Sequence, residues 1–214
     1  MAGITGYGTA IPYNRISVEE IHRVWRNTSL DRIKNVLKVN ERAVLQPNED
    51  TITLAIDAAR RAIEHSGAGR EIIDALFLGT STNPYDSKPS MTVVSQALGT
   101  GPNLMGADVQ FSGKSGSAAI QICLGLVNSQ MARAGLAIGA DTINRHTSPG
   151  KFYEYTASAG AAAFVIGKEN TIAEITGASS YASDLSDFFR PEGDRYIQNI
   201  GVGGELYPAW ELGF

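Results

Sequence analysis

The chain has 214 residues, 43% of them hydrophobic and 19% charged, with a formal net charge of −4. That size and apolar share are enough for a sizeable globular core, while a net negative chain without a run of Lys or Arg excludes a basic stripe for nucleic acid or an acidic membrane surface. The single cysteine, Cys123, rules out an intrachain disulfide framework or a multi-cysteine metal site, and it points to the cytoplasm.

The opening segment MAGITGYGTAIP lacks a basic flank followed by a long apolar run, and no stretch approaches the roughly 20 apolar residues that span a bilayer. Neither export nor membrane insertion is expected. Residues 3–11 (GITGYGTAI) read as a Gly-rich strand, and Ser17 and Glu20 of SVEEIHRVW have capping-box spacing, which predicts a helix from about Val18. In DTITLAIDAARRAIEHSG, Ile52, Ala55, Ile56, Ala59, Ala62 and Ile63 recur at three and four residues, and Gly67 supplies the stop of a second helix. A buried strand, DALFLGTS, and a polar loop, TNPYDSKPS, precede a third helix over MTVVSQALG.

Next, LMGADVQF reads as a strand that breaks at Ser112-Gly113 into a fourth helix, predicted from about Lys114 to Ala134. Strand GLAIGAD follows, and AAAFVIG and TIAEITGAS read as two more. Alternating strands and helices imply right-handed crossovers and a mostly parallel sheet with helices layered on it, the α/β class. After Arg190 the chain becomes rich in Gly, Pro and aromatic residues without a period, so its conformation stays open.

The sharp strand-to-helix turn is how a nucleophile is usually mounted, because the N–H groups and positive dipole end of a helix hold an anion or oxyanion. Here the turn holds Gly113, between Ser112 and Lys114. The tripeptide GKS does not make a phosphate-binding loop, since the position of that motif's first glycine is Asp108. Cys123 lies ten residues beyond Gly113, about 15 Å along a helix axis, and among Ile122, Leu124 and Leu126 it is expected to fill the core. Ser112, Ser115 and Ser117 lack a local base and are expected to cap the helix. His22 and His65 fall on solvated helix faces, whereas His146, with Arg145, follows a strand end where ligands of α/β sheets gather. Asp86 and Lys88 occupy a similar loop and share that candidacy.

Taken together, GITGYGTAIP, PNEDTITLAIDAARRAI, NPYDSKPS, ADVQFSGKSGSAAIQIC, AIGADT and EYTASAGAAAFVIGKEN resemble the N-terminal lobe of thiolase-fold condensing enzymes. The likeness is to archaeal-type hydroxymethylglutaryl-CoA synthases, and more closely to the ketoacyl-synthase-III-like subunit of bacterial monoacetylphloroglucinol acetyltransferase. It implies a βαβαβαββ lobe over residues 1–190, with helices layered on a mixed, mostly parallel sheet. Residues 191–214 would then begin a missing or truncated C-terminal half.

The resemblance also implies that a catalytic cysteine, acylated by acetyl-CoA, belongs where this chain has Gly113, and a general-base glutamate where it has Ser81. Glycine keeps the backbone shape of the turn and removes the thiolate. The expected role is therefore a catalytically silent subunit of a multi-component acyltransferase. Its implied partners are a thiolase-like catalytic subunit and an OB-fold subunit in a homo- or hetero-oligomer, with acyl-CoA as co-substrate, no covalent cofactor and no metal. The alternatives are a hydroxymethylglutaryl-CoA synthase-like condensing enzyme and a truncated interaction module. In any of these a solitary lobe is expected to expose an apolar patch that a second lobe would cover.

Overall fold

The computed structural model describes residues 1–182 and 188–198. Strand β1 (Gly3–Ala10) leads into β2 (Asn14–Ser17), helix α1 (Val18–Trp25) and, after a π-helical turn at Arg32–Val36, strand β3 (Glu41–Val44). Then come α2 (Thr51–Ser66), β4 (Ile73–Gly79), α3 (Ser90–Leu98), β5 (Met105–Val109), α4 (Ser115–Asn128), β6 (Ala134–Thr142), β7 (Ala159–Gly167) and β8 (Ala173–Glu174). The predicted tail lies outside the described residues from position 199 onward.

The main sheet has the order β5-β4-β6-β7-β1-β8, while β2 and β3 form a separate antiparallel pair. Strands β5, β4 and β6 are mutually parallel, and β7 is antiparallel to both β6 and β1. Strand β1 therefore shares their direction and only β7 and β8 oppose it, so the sheet is mixed with most strands co-directional.

Alternation along the strands divides the core into two. Leu76, Leu78, Leu136, Ile138 and Val165 face α2 and α3, meeting Leu54, Ala58, Ala62, Val94 and Leu98. Ala75, Ala137 and Ile166 face the opposite way and meet Ala119, Cys123 and Val127 of α4. Each fully buried Leu, Ile or Val side chain contributes about 1.5–3 kcal/mol of transfer free energy, so the sheet's two faces hold the layers together.

Helix starts follow the sequence signals. Ser17 accepts the Glu20 N–H ahead of α1, Asp50 and Thr53 form a reciprocal capping box on α2, and Gly67 closes α2 at φ 65°. Helix α4 instead ends at Asn128, earlier than the predicted Ala134. Gln130 takes a positive φ of 63°, and the Met131 and Ala132 N–H groups both fold back onto the Leu126 carbonyl. The second C-terminal strand is likewise shorter than predicted, with only Ala173 and Glu174 pairing to β1. The β2–β3 pair was not foreseen.

Helix α4 has no charged residue over its 14 positions, and its outward side exposes Ser117, Ile122 and Gly125. A helix apolar on nearly all sides is normally enclosed, so its composition suits a further layer that the described residues do not supply. Among the described residues, no helix is long and apolar enough to cross a membrane.

Candidate functional site

Parallel pairing of β4 with β5 brings two segments of interest to the same sheet edge. The Thr80 N–H continues the ladder onto the Val109 carbonyl at 3.0 Å, so Ser81, just past β4, lies one strand away from the turn that follows β5. In that turn the Lys114 and Ser115 N–H groups both donate to the Phe111 carbonyl, at 3.0 and 2.9 Å. Gly113 is exposed with φ 73°, and a Cβ built on it meets no atom within 4 Å. The turn could therefore carry a side chain into open space, at the cost of a left-handed backbone.

Glycines also set the pedestal against the sheet. A Cβ on Gly79 would lie 2.4 Å from the Ser115 carbonyl carbon, and Gly116 meets Gly139 at 3.3 Å. The first turn of α4 thus rests directly on the ends of β4 and β6, where any side chain would lift it.

The serines do not cap α4 as expected. No side chain caps the helix, and the Ser117 hydroxyl donates back to the Lys114 carbonyl at 2.9 Å. Ser112 is exposed and has no side-chain hydrogen bond among the described residues, so nothing there activates it. With the Lys114 and Ser115 N–H groups occupied, anion binding at this pedestal would depend on the Ser112, Gly113, Gly116 and Ser117 amides, which have no backbone partner among the described residues.

Cys123 is fully buried against Gly135 of β6, and burial pushes its thiol up to about 12. The thiolate is the reactive form, so this residue is inert near neutral pH and is the core filler its surroundings predicted.

Ser81 is held by a residue that sequence reasoning passed over. Asp141 Oδ1, near the end of β6, accepts the Ser81 N–H at 2.8 Å, the Thr82 hydroxyl at 2.8 Å and the Thr80 hydroxyl at 3.1 Å. The Thr82 hydroxyl also meets the Thr51 hydroxyl at 3.1 Å and accepts the Thr142 N–H at 2.9 Å. The segment where the resemblance implies a general base therefore has its backbone fixed and carries the Ser81 hydroxyl.

Asp108 also has a structural task. Its carboxylate accepts the Ser90 and Met91 N–H groups at 2.6 and 2.8 Å, capping α3, whose N-cap is Pro89. Because the contact spans 17 or 18 residues, no local motif announces it.

The four loop candidates do not come together. Lys88 lines an open groove of about 900 Å³ beside α3 and β5, with its ammonium 4.7 Å from the Tyr85 ring. Asp86 is exposed next to it and accepts the Lys88 N–H at 2.7 Å through its backbone carbonyl. Arg145 and His146 instead line a separate cavity of about 620 Å³ with Arg42, Asn144, Glu154 and Arg195. Burial lowers the His146 imidazole below its ordinary value of 6.5, with Arg190 and Arg145 acting in the same direction. Among the described residues no cluster of His, Cys, Asp and Glu could hold a metal ion.

No protein-family model matches the chain. It is 48% identical over 201 residues to the hydroxymethylglutaryl-CoA synthase of Methanocaldococcus jannaschii, a match covering 94% of this chain and 57% of the relative. The synthases of Methanosphaera stadtmanae and Archaeoglobus fulgidus are 47% and 45% identical over the same shares. The chain therefore spans a little over half the length of the curated relatives it matches. Among solved structures, MvaS in complex with 3-hydroxy-3-methylglutaryl coenzyme A superimposes with a TM-score of 0.83 at 26% identity, covering 94% of this chain and 48% of that one. The 3-oxoacyl-[acyl-carrier-protein] synthase III of Aquifex aeolicus superimposes at 0.84 with 20% identity, covering 94% and 65%, and that likeness concerns fold alone.

The layered sheet, the glycine-seated helix and these matches show that the chain has the thiolase-like fold of condensing enzymes. Within it, the relatives named above are hydroxymethylglutaryl-CoA synthases.

Proposed function

We propose that this chain is a hydroxymethylglutaryl-CoA synthase-like scaffold for acyl-CoA chemistry, from which the acyl-accepting thiol and the general base have been lost. Gly113 carries this reading: the turn has an open space where a nucleophile's side chain would stand, and no nucleophile. Ser81 supports it, because its backbone is held through its N–H on Asp141 and its hydroxyl cannot take a proton as a carboxylate would.

The chemistry proposed for the complete system is transfer of an acyl group from a CoA thioester to a thiol, with release of the CoA thiol. This chain shapes the site and a second polypeptide brings the thiol. Helix α4 offers a surface for it, since its uncharged outer side has no cover among the described residues. The test is acyl transfer followed by protein mass. The native chain should gain no acetyl group from acetyl-CoA, and Gly113→Cys should gain one if the remainder of the acyl site is intact.

The paired departures at Gly113 and Ser81 also favour a second reading, a silent subunit of an acetyltransferase acting on a phloroglucinol-type acceptor with thiolase-like and OB-fold partners. Co-expression separates the two. Stable co-purification with a thiolase-like chain favours the acetyltransferase subunit, whereas acylation of Gly113→Cys without any such chain favours the first reading.

A further inference from the structure

Three separate parts of the chain converge on the cavity beyond the end of β6: Arg42 from β3, the Arg145-His146 turn, and the segment carrying Arg195. The last is fastened by three hydrogen bonds. Its Ile197 N–H donates to the His146 carbonyl at 2.7 Å, its Ile197 carbonyl accepts the Tyr153 hydroxyl at 2.7 Å, and its Arg195 carbonyl meets His146 Nδ1 at 3.1 Å.

Charge on the walls is unbalanced. Glu154 is the lining carboxylate, and it is already engaged by Arg42 at 3.3 Å and by the Gly150 N–H at 2.7 Å. Arg145 donates to the Glu49 carbonyl and Arg195 lies 5.3 Å from the Tyr196 ring centre; neither has a carboxylate within 4 Å among the described residues. In the wall itself, Arg42 Nε and Asn144 Oδ1 are buried without a hydrogen-bond partner. A buried guanidinium N–H left unpaired is costly and is normally satisfied by an acceptor. An amide flip of Asn144 would present a donor at the second point.

We propose that this cavity binds a phosphate group. Two guanidinium charges beyond the Arg42–Glu154 pair match a dianion, and planar forked donors suit phosphate oxygens. With its proton on Nδ1 facing the Arg195 carbonyl, His146 leaves Nε2 to accept from a protonated phosphate oxygen. The volume of about 620 Å³ well exceeds one phosphate, so the group is either a free ion or the end of a larger ester. This assignment does not depend on the acyl-CoA reading above.

The experiment is calorimetric titration of the full chain at low ionic strength with inorganic phosphate, and separately with coenzyme A and dephospho-coenzyme A. Arg145→Ala and Arg195→Ala serve as variants because both side chains are exposed, with circular dichroism checking the fold and Arg195→Glu adding charge reversal. Binding of at least one probe is expected, weakened about tenfold or more by each variant. Inorganic phosphate binding as tightly as coenzyme A identifies a free ion, whereas tighter coenzyme A that weakens on loss of its 3′-phosphate identifies an ester. Absence of binding by every probe, or binding that the folded variants leave unchanged, overturns the proposal.

Discussion

The Asp141 carboxylate accepts the Ser81 backbone N–H at 2.8 Å, fastening the end of β6 to the segment that follows β4. The same oxygen takes the Thr80 and Thr82 hydroxyls, so one side chain fixes the segment where the sequence resemblance implies a general base. Asp141→Ala strands three donors and should cost about 2–3 kcal/mol, lowering Tm by about 5–10 °C. Asp141→Asn keeps an acceptor oxygen and should cost less. Thermal denaturation of both variants checks the order.

The two glycines flanking the pedestal should respond unequally to a methyl group. Gly79→Ala drives a Cβ into the Ser115 backbone at 2.4 Å and should destabilise by about 3 kcal/mol or more, because α4 cannot shift without leaving the sheet. Gly113→Ala meets nothing within 4 Å and should cost only about 1 kcal/mol for its left-handed backbone. Denaturant unfolding of the pair measures the contrast.

Cysteine chemistry separates a buried thiol from a mounted one. Cys123, fully buried with its thiol pushed up to about 12, should resist iodoacetamide at neutral pH in the folded chain and react once the chain is unfolded. Gly113→Cys should add one rapidly alkylated site, since a thiol there is exposed at a helix N-terminus. Mass spectrometry of timed samples counts the adducts.

His146 gives stability a pH dependence of known sign. Burial, with Arg190 and Arg145, holds its folded value below the ordinary 6.5, while the Arg195 carbonyl and Asp141 oppose the shift. The unfolded chain therefore binds the proton first as pH falls. This residue's contribution is complete above about pH 6.5 and is lost as pH drops through the folded value. His146→Gln should flatten the decline in Tm between pH 7.5 and 5.

Much of this architecture was legible because local signals and tertiary packing agree. The apolar spacing of α2 and its Gly67 stop describe one helix, and the Asp50 cap seen in the structure agrees with them. The end of α4 was not legible: Gln130 adopts the positive φ that glycine normally supplies, and Met131 and Ala132 continue the apolar run after the helix has closed. The β2–β3 pair has four residues in each strand and a mostly exposed or half-buried pattern, too short for alternation to stand out.

At the site, Gly113 and Ser81 could be singled out because they depart from a resemblance. Asp141 could not, since its role arises only when the ends of β4 and β6 become neighbours. Arg42 is hidden for the same reason, lying 112 residues from the Glu154 it pairs with.

The central claim is that this chain keeps the acyl-site scaffold and has no acyl acceptor of its own. Intact-protein mass after incubation with acetyl-CoA tests it most directly, using the native chain, Gly113→Cys, and the native chain co-expressed with a thiolase-like partner. The account predicts an unchanged mass for the native chain in both settings and an added acetyl group on Gly113→Cys and on the partner. An acetyl group on the native chain itself, lost when Ser112 or Cys123 is replaced, would contradict it.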